Sequence, residues 1–190
     1  VQTCALPISE RIWHELFVGF SEERSYLMFE VLHKCGALKL LLPEMNYVKH
    51  KQSIKKSFEY ALKSKYSTEI KAALFFMYLY PLKVNSKLQK EIYIRLSVPT
   101  AVKKLTEKTI SNLSDLKQFK KLKPFQILDL IYKMDLFRSP DSLLDVMQIF
   151  EAFISSEPNQ LRKASTTLKC LKKYLKHLNR SEEHTSELQS

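Results

Sequence analysis

The sequence predicts an all-α fold, a multi-helix bundle of about eight to ten helices without a sheet. Three observations lead there. Apolar residues recur at i, i+3, i+4 and i+7 along nearly the whole chain, the period of an amphipathic helix. No stretch sustains the alternation of a half-buried strand. Only 2 of 190 residues are glycine, which excludes a P-loop, a dinucleotide fingerprint, a nucleophile elbow and the Gly-rich turns of a β-barrel. With 45% hydrophobic and 27% charged residues the chain is globular rather than disordered. No repeat of fixed length is present. No apolar run approaches the roughly 20 residues of a membrane span.

The elements follow in order. Ile12, Trp13, Leu16, Phe17 and Phe20 mark a first helix over 10–20 with Ser9 as its N-cap. Ser21 is placed as the next cap, with Glu22 and Glu23 suiting a helix N-terminus. Leu27, Met28, Val31, Leu32 and Cys35 form the expected inner stripe, closed by Gly36 as a C′ residue. Residues 37–42 make a short apolar turn or helix ended by Pro43. Lys49–Gln52 reads as a basic connector, followed by a helix over about 52–65 and another from Thr68 to before Pro81. Ser86 caps a helix carrying Leu88, Ile92 and Leu96. Pro99, Pro124, the Ser139-Pro140-Asp141 run and Pro158 open the remaining four.

The two ends read differently from the middle. The tail Arg180–Ser190 back-translates to a common sequencing-library adapter, and the reverse complement of the same DNA encodes Val1–Ile8. Residues 1–8 and 180–190 are therefore expected to be adapter-derived and are set aside from fold reasoning. The chain carries a formal charge of +11. Without the ends, residues 10–179 hold 30 Lys and Arg against 17 Asp and Glu, a charge of +13. Cys35 and Cys170 remain, isolated from each other and from any zinc-type spacing, and suit a reducing cytosol. The remainder divides into a first set of helices (9–48) and a longer helical part (49–179), at a point where apolar density drops and basic residues cluster.

The most specific stretch is SERIWHELFVGFSEERSYLMFEVLHKCGALKLLLPEMN, residues 9–46. Glu10, Arg11, Ile12, Glu15 and Leu16, followed by Phe29, Leu32, Cys35, Gly36, Ala37, Leu38, Leu42, Pro43, Glu44 and Asn46, resemble the neck of bacterial CCA-adding enzymes, the tRNA nucleotidyltransferases of the poly(A) polymerase superfamily. A weaker likeness continues through Leu96–Pro99, Ile127–Ile131 and Asp135–Arg138 to about residue 175. The resemblance implies a parent enzyme that adds CCA to tRNA 3′ ends, with Mg2+, CTP and ATP bound in a catalytic head. Neither a D-x-D pair nor an E-D-x-x-R motif occurs in this chain. The expectation is a cytoplasmic fragment that lacks the head, uses no cofactor itself, binds tRNA and catalyses nothing alone. Glu10, Arg11 and Glu15 are then neck-motif support residues.

Some members of that family carry a metal-dependent phosphohydrolase of the histidine–aspartate type in the next segment, here about 52–98. Ile70-Lys71-Ala72-Ala73-Leu74 matches its lead-in, but Met77-Tyr78 stands where His-Asp belongs, and Lys55 where an upstream His belongs. A helical shell without the metal chemistry is expected, residual phosphohydrolase activity being the alternative.

Lys103, Lys104, Lys108, Lys117, Lys120 and Lys121 form one basic cluster, with Lys123 beside it. Arg162 and Lys163, with Lys169, Lys172, Lys173 and Lys176, form another. Two readings apply: a phosphate track for tRNA, or a solvated lysine face on a generic interaction module for acidic partners. Neither DNA nor a membrane is an expected partner, and nothing in the sequence fixes the oligomeric state. Trp13, Phe17 and Phe20 read as core rather than a stacking platform, as do Phe75, Phe76, Tyr78 and Tyr80. Cys35 reads as a small core residue. No metal-ligand set and no catalytic residue is expected.

Overall fold

The computed structural model describes residues 7–79, 86–156 and 158–187, with side chains undescribed at 86, 158–160, 163 and 177–187. Ten α-helices lie among the described residues: α1 (Ile8–Ser21), α2 (Tyr26–Lys34), α3 (Ala37–Leu41), α4 (Tyr47–Lys63), α5 (Thr68–Met77), α6 (Ser86–Arg95), α7 (Thr100–Lys117), α8 (Pro124–Lys133), α9 (Ser142–Ile154) and α10 (Pro158–Glu187). A 3-10 turn, Phe119–Lys121, separates α7 from α8. No strand occurs among the described residues.

The core is built around α5. From Ile70 on, its sequence is apolar on every side apart from Lys71, and a helix of that kind must be enclosed. Every residue from Ile70 to Leu79 is buried, with α1, α4, α7 and α9 packed around it. Phe20 of α1, Phe29 of α2, Phe58 of α4 and Phe75 of α5 join four helices in one aromatic knot. Phe29 sits 5.0 Å from Phe75 and 5.3 Å from Phe58 between ring centroids. Trp13 is buried and stacks on Phe76 at 6.3 Å, so it belongs to the core as expected. Tyr80 lies outside the described residues.

One buried charge ties α1 to α5. Lys71 is only 6% exposed, and its Nζ donates to the Glu22 carbonyl at 3.3 Å, at the C-terminal end of α1. There the helix dipole is negative and favours a cation. Burial still pulls the Lys71 pKa below its ordinary value.

The shortage of glycine shows in the helix ends. Gly36 ends α2 at φ +78°, as its C′ position requires. Three other helices stop on left-handed residues with side chains: Lys65 at φ 55°, Ser97 at 49° and Asp135 at 50°. Each is followed by a six-to-one closing bond of the Schellman type: Tyr66 to Ala61, Val98 to Tyr93 and Leu136 to Ile131. Val98 and Leu136 are buried, so the apolar residue after the turn fastens it to the core.

Several local expectations are corrected. Ser9 is not a cap; α1 begins at Ile8 after Pro7, and the Ser9 hydroxyl accepts from Ser97 Oγ at 2.8 Å. Ser21 ends α1 and donates to the Val18 carbonyl, while α2 starts only at Tyr26. Lys49–Gln52 is no connector but part of α4, because Asn46 Oδ1 accepts from the Lys49 amide at 3.1 Å and starts that helix early. The buried face of α2 is Phe29, with Tyr26, Met28 and Leu32 half-buried. Leu27 and Val31 face solvent, Val31 being 61% exposed. Cys35 is exposed at the end of α2 rather than in the core.

Candidate functional site

The resemblance residues separate into two sets once their surroundings are known. Phe29, Leu38 and Leu42 are core. Gly36 supplies a positive φ, Asn46 caps α4, and Glu44 Oε1 accepts from Arg95 Nη2 at 2.7 Å. Each has a folding reason to be there. Glu10, Arg11 and Glu15 are exposed and form no ion pair among the described residues. Arg11 and Glu15, one turn apart, line an apolar groove of about 480 Å³ with Ile12, Leu16, Met28 and Leu41. Glu10 lies off its rim. α1 and α2 approach closely at Gly19, where an added Cβ would run into the Met28 side chain.

The position where a histidine–aspartate pair would stand holds Tyr78. Its hydroxyl donates to the Ser53 carbonyl at 3.1 Å and is hydrogen-bonded to Ser57 Oγ in a buried contact. Burial pushes the Tyr78 pKa well above its ordinary value. His50 packs beside it, with ring centroids 6.0 Å apart, and burial lowers its pKa. Lys55, at the other expected histidine position, lies over the Tyr26 ring at 5.6 Å. This is hydrogen-bonded packing with no hard ligand set. No group of three His, Cys, Asp or Glu side chains converges to hold a metal ion among the described residues. At the described positions, tyrosine and lysine stand where the histidine and aspartate ligands would be needed, and they do not fit a metal centre there.

The two basic clusters differ in kind. On α7 the lysines fall on separate faces. Lys103 lies over the Tyr93 ring at 5.8 Å and Lys117 over the Phe153 ring at 5.7 Å. Lys108 Nζ donates to Ser142 Oγ at 3.0 Å. Lys104 is exposed, beside a mixed-charge pocket that also holds Glu69 and Asp145. Burial and the neighbouring Asp141 and Glu69 carboxylates raise the Asp145 pKa. Lys120 and Lys121 are exposed on the 3-10 turn.

On α10 the charges form one stripe. Arg162, Ser165, Thr166, Lys169, Lys172, Lys173 and Lys176 are all exposed and fall within about a third of the helix circumference at its 3.6-residue period. Ala164, Thr167, Leu171 and Leu175 face the opposite way into the core. The stripe runs about 21 Å. No Asp or Glu occurs between 158 and 181. None of its basic side chains is ion-paired among the described residues. The Lys163 side chain lies outside the described residues. α10 packs on α7, α8 and α9, which holds the stripe as a rigid edge.

Sequence reasoning missed the two hydroxyls of this stripe, Ser165 and Thr166. Their signal was the same periodicity, read for charge alone.

Comparison with known proteins bears on the chain over one stretch. It is 56% identical over 39 residues to a Multifunctional CCA protein of Methylobacillus flagellatus, 20% of this chain and 10% of that one. It is 54% identical over 39 residues to the protein of that name from Neisseria meningitidis serogroup C, covering 9% of it. The Dechloromonas aromatica protein of that name is 51% identical over 39 residues, covering 10% of it. No family model matches, and no solved structure matches. No helix among the described residues is long and apolar enough to cross a membrane. The matched stretch spans about a tenth of the length of these curated relatives, and over it the chain is related to CCA-adding proteins.

Proposed function

We propose that the chain is a tRNA-holding part of a CCA-adding nucleotidyltransferase, and that the nucleotide-transfer chemistry belongs to a head these 190 residues do not contain. The observation that carries the reading is the 39-residue relation to Multifunctional CCA proteins at 51–56% identity. The α10 stripe supports it. Five cations on one face, interleaved with two hydroxyls and free of neighbouring acids, are the chemistry that grips a phosphate backbone without reading sequence. Glu10, Arg11 and Glu15, exposed on α1, are then the neck-motif support residues, with Arg11 and Glu15 lining the groove. Lys104, Lys120 and Lys121 extend the basic surface; Lys103, Lys108 and Lys117 are held by the protein's own side chains.

The test is binding and incorporation measured with the purified chain. Filter binding across a salt series should show tRNA bound more tightly than duplex DNA of equal charge, with affinity falling steeply as salt rises. Incubation with Mg2+, CTP and a tRNA lacking its 3′ CCA should give no labelled product. Equal binding of tRNA and DNA would reduce the chain to a generic basic module. Incorporation of nucleotide would overturn the assignment of chemistry to a separate head.

A further inference from the structure

α8 presents an outward face that its folding does not explain. Phe125 is 67% exposed, Leu128 38% and Tyr132 63%, at spacings of three and four residues on one side of the helix. The opposite side, Ile127, Leu130, Ile131 and Met134, is the one that enters the core. Two aromatic rings left in water forgo the large burial gain such rings usually supply. They stand two turns apart, about 10.5 Å along the axis. The Tyr132 ring is steadied by Phe137, with centroids 4.9 Å apart and planes tilted by 47°.

The charge around this face selects its occupant. Lys120, Lys121 and Lys123 are exposed directly before Phe125. On α8 the carboxylate of this face, Asp129, is paired with Lys133 at 2.6 Å, and Asp115 of α7 also lies within electrostatic reach of Lys133. An apolar protein partner needs no lysine triplet. A nucleic-acid strand with unpaired bases needs both parts: cations for its phosphates and flat apolar rings for its bases.

We infer that Phe125 and Tyr132 form a stacking platform for unpaired RNA bases, with Lys120, Lys121 and Lys123 holding the adjoining phosphates. The inference rests on the proposed function for the presence of RNA. It adds a second mode of contact, to single-stranded nucleotides, on a helix packed against α10.

The experiment uses the whole chain and fluorescence anisotropy with three probes: an unstructured RNA of about twelve nucleotides, an RNA hairpin with the same number of phosphates, and phosphatidylserine vesicles. Phe125→Leu and Tyr132→Ala are expected to weaken single-strand binding by about 5- to 150-fold each, with the salt dependence unchanged. Hairpin binding should hold, and Tyr132→Phe should retain affinity because it keeps the ring. Both residues are exposed, so the variants should fold, and thermal melts check this. Single-strand affinity unchanged in both aromatic variants would overturn the platform while leaving the α10 phosphate track in place. Vesicle binding without single-strand binding would overturn it in favour of a membrane surface. A chain that binds neither RNA removes the proposed function first and the platform with it.

Discussion

α7 and α10 carry similar numbers of lysines and use them differently. On α7, Lys103 and Lys117 lie on the rings of Tyr93 and Phe153, and Lys108 donates to Ser142. Those cations are spent on the protein's own surface, where a cation–π contact at an exposed site contributes about 0.5–1 kcal/mol. On α10 the basic side chains share one face and touch no acid among the described residues. The proposed interface therefore rests on the phase of the lysines against the buried stripe, and on the company each one keeps, rather than on a lysine count.

The largest expected effect comes from loosening the helix that carries the stripe. Leu171 is fully buried on the inner face of α10. Leu171→Ala should cost about 2–5 kcal/mol in urea unfolding, and tRNA binding should fall with it as the stripe loses its rigid backing. A variant as stable as the parent would mean that α10 is not packed as described.

A smaller effect separates the body from the stripe by pH. Burial raises the Tyr78 pKa, and burial together with the Glu151 carboxylate raises that of Tyr66. The folded chain keeps these protons at a pH where the unfolded chain has released them near pH 10. The unfolded state then binds fewer protons, so stability declines as pH rises above about 10, by at most about 1.4 kcal/mol per pH unit for buried Tyr78. Tyrosinate absorbance should show a subset of tyrosines that ionise only on unfolding. Complete ionisation in the folded state would contradict the buried Ser57–Tyr78–Ser53 arrangement.

The smallest effect tests whether any lysine will do. Lys65 sits at φ 55° after α4, away from α10 in sequence and in no ion pair among the described residues. Lys65→Gly should stabilise the chain by about 0.5–1 kcal/mol, because glycine removes the left-handed strain that a side chain imposes. The tRNA affinity should stay the same despite the lost charge. A drop in affinity equal to that of a stripe lysine would mean that net charge, not the stripe, drives binding.

Much of this was legible in the sequence. The 3.6-residue period marked the helices; Gly36 marked the end of α2, and Pro124 and Pro158 the starts of α8 and α10. What failed had physical reasons. From Tyr26 to Leu32 nearly every residue of α2 is apolar, so the pattern did not fix which side faces in, and Phe29 took the core from Val31. Caps depend on backbone direction, so Ser9 and Ser21 looked correct and were not, while Asn46 extended α4 over a run that composition marked as a linker. The split among the α7 lysines was unreadable because its causes are distant: Phe153 lies far along the chain from Lys117, and Ser142 from Lys108. Within residues 9–46, structure alone separates Phe29 and Glu44, which fold the chain, from Arg11 and Glu15, which line a groove.

The most direct measurement is the salt dependence of tRNA affinity in two multiple variants with similar charge loss. One replaces Lys169, Lys172 and Lys173 by Gln; the other replaces Lys103, Lys108 and Lys117 by Gln. The α10 variant should lose about 100-fold or more in affinity at low salt, and the slope of log K against log salt should become shallower by about 3. The α7 variant should lose less than about threefold and keep its slope, paying instead in stability. Equal losses of affinity and slope in the two variants would contradict the central claim that the α10 stripe, rather than the total lysine content, is what holds RNA.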